Sequence, residues 1–133
     1  MEDGLVLDTS AYNGILLGDW QVKSYIESIK NIFMPSIVVG ELMYGFRKGS
    51  RFEENYQILQ SFLEVDRVAI VDVNQAIAER YGALKHLQQS SGQIVADNDL
   101  WIAATCLHLK QPLLTFDSDF TRIADVELQL LPT

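Results

Sequence analysis

The stretch Leu5-Val6-Leu7-Asp8-Thr9-Ser10 decides the fold. Its apolar run is short and does not alternate, the pattern of a buried strand. It ends in Asp, Thr and Ser, residue types that cap helices, so the strand passes directly into a helix. That helix, through Tyr12 to Leu17, stops at Gly18. Asp19 then caps a second helix in which Val22, Tyr25, Ile26 and Ile29 recur at helical spacing. The same alternation continues along the chain. Ile32-Phe33-Met34 is a strand closed by Pro35, and Ser36 caps a helix that ends near Gly49. Phe52 to Leu63 is a helix and Val68 to Val71 a β-branched strand. Asn74 opens a long amphipathic helix broken at Ser90-Ser91-Gly92, and Asp97 opens another through Leu107. Pro112 to Thr115 and Val126 to Leu130 complete the strands. Strands alternating with helices predict an α/β protein with a parallel sheet between two helical layers.

The chain has 133 residues, which predicts one domain over 1–133. It carries 18 acidic and 10 basic side chains, a formal net charge of -8. Such a balance excludes a protein that grips nucleic acid by a broad basic face. No apolar run approaches the ~18 residues of a membrane span. Met1-Glu2-Asp3 is acidic where a secretory leader wants a basic start, and the single Cys106 excludes a disulfide framework. A cytoplasmic protein is expected.

The acids are placed to do chemistry. In an open parallel sheet, ligands bind beyond the carboxyl ends of the strands. Asp8 ends the first strand, and Asp117 and Asp119 come just after the strand of Leu113 and Leu114. Asp97 and Asp99 stand at a helix N-terminus. Glu41 interrupts an apolar helix between Val38, Val39, Leu42 and Met43, where an unpaired charge is costly. Each has a structural alternative. Asp97 can simply cap its helix, Asp99 face the helix dipole, Asp119 cap the turn Phe120-Thr121-Arg122, and Glu41 lie on a solvent stripe. If they converge, their charges repel, and a divalent cation relieves the conflict. Oxygen-only donors suit Mg²⁺ or Mn²⁺ rather than zinc. Those ions promote phosphodiester hydrolysis.

Four blocks then carry a family resemblance. They are Leu5 to Ser10, Ser36-Ile37-Val38-Val39-Gly40-Glu41-Leu42-Met43-Tyr44-Gly45, Asn98-Asp99-Leu100-Trp101-Ile102-Ala103-Ala104, and Leu113 to Phe120. In this order and spacing the chain resembles a PIN domain, and its compact length is similar to the VapC toxins of type II toxin–antitoxin systems. The resemblance implies a three-layer α/β/α fold with a short, mostly parallel central sheet. It implies an endoribonuclease dependent on one or two Mg²⁺ or Mn²⁺ ions, with Asp8, Glu41, Asp99 and Asp117 as its acids. Asp119 matches a frequent further acid that binds metal through water or acts structurally. Thr9 and Thr115 match supporting hydroxyl positions, and Ser10 stands where Asn is common. Asp97 is an additional acid, better explained as a cap. The resemblance also implies a homodimer and a small antitoxin partner.

Other signals weigh less. His86 and His108 lack metal spacing, and Cys106 reads as core. Gly45, four residues after Glu41, leaves room for a close neighbour on the same helix face. Arg47-Lys48-Gly49-Ser50-Arg51 is the one basic cluster. Arg47, Lys48 and Arg51 are either a phosphate clamp at the rim or favourable charges at a helix C-terminus. The alternatives to a toxin are a stand-alone PIN nuclease and a non-catalytic Mg²⁺-binding module. A receiver domain would want a Lys after Leu113-Leu114-Thr115-Phe116, and a haloacid-dehalogenase phosphatase an Asp where Ser10 stands.

Overall fold

A computed structural model describes residues 3–133. Met1 and Glu2, part of the acidic start, lie outside the described residues. The elements run β1 (Gly4–Leu7), α1 (Thr9–Leu16), α2 (Trp20–Ile26), β2 (Asn31–Pro35), α3 (Ser36–Lys48), α4 (Phe52–Leu63), β3 (Val68–Val71), α5 (Gln75–Ser90), α6 (Asp97–Leu109), β4 (Leu113–Thr115) and β5 (Leu128–Leu130), with a 3-10 turn at Ser118–Arg122.

The five strands form one sheet in the order β3-β2-β1-β4-β5. Every pairing is parallel, with Val6 opposite both Phe33 and Leu113. β1 is therefore central, and all four of its residues are buried, which is why its sequence lacks alternation. Right-handed crossovers put the helices joining β1, β2 and β3 on one face and those joining β3 to β4 on the other. From β1 the chain moves outward through β2 to β3, then returns to β4 on the far side of β1. The order reverses between β1 and β4, and a crevice opens there beyond the strand ends.

Leu5, Leu7, Ile32, Met34, Leu113 and Leu114 fill the sheet's interior, and Leu59, Ile77, Leu100 and Ile102 cover it from the helices. Truncating any of these to Ala costs about 2–5 kcal/mol. Tyr12 packs edge-on against Phe62 at 5.3 Å between centroids, tying α1 to α4.

The local signals decide most boundaries. Asp8, Asp19 and Asn74 each accept a backbone N–H as helix caps, and Gly18 and Gly92 adopt φ of 75° just past helix ends. Two expected caps fail. Ser36 is the first residue of α3, and Pro35 precedes it with no side-chain cap bond. β2 runs into α3 without a loop, so no extended Ser position exists to cap from. Asp97 likewise lies inside α6 behind Ala96, which makes no side-chain cap bond. Among the described residues the neighbour expected beside Gly45 is also absent, for a Cβ there would meet no heavy atom of theirs within 4 Å.

Candidate active site

Asp8 sits at the carboxyl end of β1, only 4% exposed. Oδ1 accepts from the backbone N–H of Ala11 and from Ser10 Oγ, both at 2.8 Å. Oδ2 accepts from Thr115 Oγ1 at 2.5 Å. Burial pushes its carboxyl up from the ordinary value, against the pull of those three hydrogen bonds, and the nearby Asp117 charge adds to the rise. Both hydroxyls also reach the far strand. Ser10 Oγ accepts from the backbone of Phe116 at 3.0 Å, and Thr115 Oγ1 from that of Asp117 at 2.9 Å. The ends of β1 and β4 are thus laced through two hydroxyls that meet on one carboxylate.

Glu41 is half-buried on α3 rather than on a solvent stripe, and among the described residues it pairs with no cation. Thr9 Oγ1 donates to Oε1 at 2.5 Å and Asn98 Nδ2 to Oε2 at 3.1 Å. Neutral donors of this kind orient a carboxylate without adding a countercharge.

Asp99, Asp117 and Asp119 each bring one carboxylate oxygen within 4.8 Å of the others'. Asp99 is raised from 3.8 to about 6, first by burial and then by the charges of Asp117, Glu41, Asp8 and Asp119. That every one of these acids acts on Asp99 is the electrostatic signature of convergence. The donor set is all oxygen and strongly anionic, with no His or Cys, and it fits a hard divalent cation. Asp8, Glu41, Asp99 and Asp117 line one open cleft of about 270 Å³ with Asn13 and Ile102.

The other candidate residues divide. Asp117, not Asp119, caps the 3-10 turn, accepting from the Asp119 N–H at 2.9 Å. Asp119 joins the carboxylate group and also pairs with Arg122 at 2.9 Å. Asp97 stands apart. Its carboxylate accepts from Tyr81 and Lys85 on α5, both at 2.9 Å, and those partners hold it below the ordinary range. In the basic run, Arg51 is committed to Glu54 at 2.6 Å. The guanidinium of Arg47 lies 3.9 Å from the centre of the Phe52 ring, and the Lys48 ammonium 4.7 Å from that of Tyr44. Cys106 is buried, and burial pushes its thiol up.

Asn98 and Asn13 join the site without a signal of their own in the sequence. Asn98 lies inside the block that begins Asn98-Asp99-Leu100, but its bond depends on α3 meeting α6, a contact between residues 57 apart in the chain.

The family model for the PIN domain matches residues 5–126. Among curated proteins, the chain is 33% identical to Ribonuclease VapC2 of Rickettsia felis over 99 residues, 74% of this chain and 72% of that protein. Among solved structures it resembles the VapBC2 complex of Rickettsia felis bound to a DNA fragment from its promoter. That match has a TM-score of 0.85 and 28% identity, covering 95% of this chain and 97% of that one. VapBC-1 from nontypeable Haemophilus influenzae shares the fold at a TM-score of 0.84 and 24% identity, over 96% of this chain and 97% of that one.

Proposed function

The chain belongs to the PIN-domain family, and on that basis we propose that it is a divalent-metal-dependent endoribonuclease, the toxin of a toxin–antitoxin pair. The observation that carries this reading is the meeting of Asp8, Glu41, Asp99 and Asp117 in one cleft at the strand-order reversal. The relative named a ribonuclease, with its 33% identity, supports it.

Asp99, Asp117 and Asp119 would hold a Mg²⁺ or Mn²⁺ ion, with Asp8 on the cleft floor and room for one or two ions. Such an ion supplies positive charge to a phosphodiester under attack and makes water more acidic. The protein's own groups do the rest. Thr115 and Ser10 fix both oxygens of Asp8. Thr9 and Asn98 fix those of Glu41, which would accept the proton of an attacking water. Buried Ile102 closes the apolar side of the cleft. Arg47 and Lys48 would meet a neighbouring phosphate, while Arg51 is held by Glu54.

The reading extends to a single PIN domain in the cytoplasm, a homodimer and a small antitoxin whose basic groups complement the cleft. Among the described residues no helix is long and apolar enough to cross a membrane. The test is cleavage of single-stranded RNA with and without EDTA, by wild type and Asp99→Asn. Cleavage lost in both treatments supports the reading. Cleavage indifferent to both sinks it.

A further inference from the structure

We propose that the groove beside the acid cleft is a nucleobase subsite, taking the base next to the scissile phosphate of a single-stranded RNA. The proposal rests on the ribonuclease reading and adds where that substrate is gripped.

The groove lies between α1, α3 and α4 and encloses about 250 Å³. It shares Thr9, Asn13 and Glu41 with the acid cleft, so the two spaces are continuous. Leu16, Leu42 and Phe46 give it apolar walls, and Asn13 and Asn55 are its amide-bearing lining residues. Apolar walls with a few placed polar groups are the composition of small-ligand sites. An unstacked base matches both parts, with flat faces for the walls and a donor–acceptor edge for an amide, which offers both functions. Gly45 lies on the groove's lining, and a Cβ there would meet nothing within 4 Å. The glycine therefore keeps open a space that packing does not use.

Charge sets the direction of the strand. Glu41 marks the acidic end of the groove, and Arg47 and Lys48 occupy the last turn of α3. At the helical rise they lie about 10 Å further along the axis. A strand laid along α3 would put the scissile phosphate at the carboxylates and a following phosphate at the basic turn, with a base between them in the groove.

The test uses full-length wild type, Asn55→Ala and Gly45→Leu, each cleaving a randomised single-stranded RNA pool, with the nucleotides flanking every cut read by sequencing. Mn²⁺ binding is measured on the same samples by calorimetry. Wild type should prefer certain bases at one flanking position. Asn55→Ala should flatten that preference about tenfold, and Gly45→Leu should raise KM with Mn²⁺ affinity unchanged. Cleavage with the same preference and KM in both variants overturns the subsite and leaves the ribonuclease reading standing. The same holds if the variants lose only binding of a protein partner, which assigns the groove to that protein. No cleavage by wild type removes both.

Discussion

Asn98 on α6 donates its amide to Glu41 Oε2 on α3 at 3.1 Å, while Thr9 holds Oε1. The acid is thereby fixed from two elements at once. Asn98→Ala releases one oxygen and lets the carboxylate swing. The expected result is a fall of about tenfold in kcat, with Mn²⁺ affinity and thermal stability little changed. Steady-state kinetics beside a Mn²⁺ titration separate the two. Asn98→Asp should be worse than Asn98→Ala, because it sets a like charge against Glu41.

The metal-free protein should gain stability as pH falls from 7 toward 5. Asp99 has a folded value of about 6 against an ordinary 3.8. Between those values the folded state binds the extra proton, so stability declines as pH rises through that window and the cost is full above pH 6. Asp8, also raised, acts in the same direction. Discounted for partial exposure of Asp99, the effect is about 1–2 kcal/mol. Urea denaturation in EDTA at several pH values measures it. Asp99→Asn should flatten the profile and stabilise the metal-free protein at pH 7, while abolishing cleavage.

Thr115 is fully buried and donates to Asp8. Thr115→Val keeps the shape and removes the donor, leaving a buried carboxylate short of one partner and the Asp117 N–H without its acceptor. A loss of about 1–3 kcal/mol at pH 7 is expected, read by urea titration. Thr115→Ser should recover most of it. Equal stability of the Val and wild-type proteins would show that the bond contributes nothing.

Arg122 pairs with Asp119 at 2.9 Å, and Asp119 is one of the three acids close enough to share an ion. Arg122→Ala should free that carboxylate and remove a cation from the rim. Mn²⁺ affinity is then expected to rise about three- to tenfold, less at high salt. Calorimetry checks it, and unchanged affinity would mean that Asp119 takes no part in holding the ion.

The strands and most helix limits are legible in the sequence because their signals are local. Leu5 to Leu7 is an unbroken apolar run, and Asp8, Asp19 and Asn74 cap the helices that begin after them. The acids at strand ends can be placed on one side of the sheet by topology alone. The features hidden from the sequence depend on helix meeting helix. Asp97 looks like a cap, yet it answers to Tyr81 and Lys85 on α5. Gly45 looks like a packing residue, yet it borders open space. Asn98 has no local feature that distinguishes it from any polar residue in a first turn.

The central place of β1 has a bearing on synthesis. Asp8 emerges first, but the hydroxyl that orients it belongs to Thr115, 107 residues later, and Asp117 and Asp119 come later still. β4 pairs directly with β1, so the middle of the sheet is completed only after the chain has been made through β4. A ribosome-bound chain that stops short of β4 holds Asp8, Glu41 and Asp99, but neither of the two acids that approach Asp99. The full set of carboxylates therefore comes together only once the chain has been made past β4.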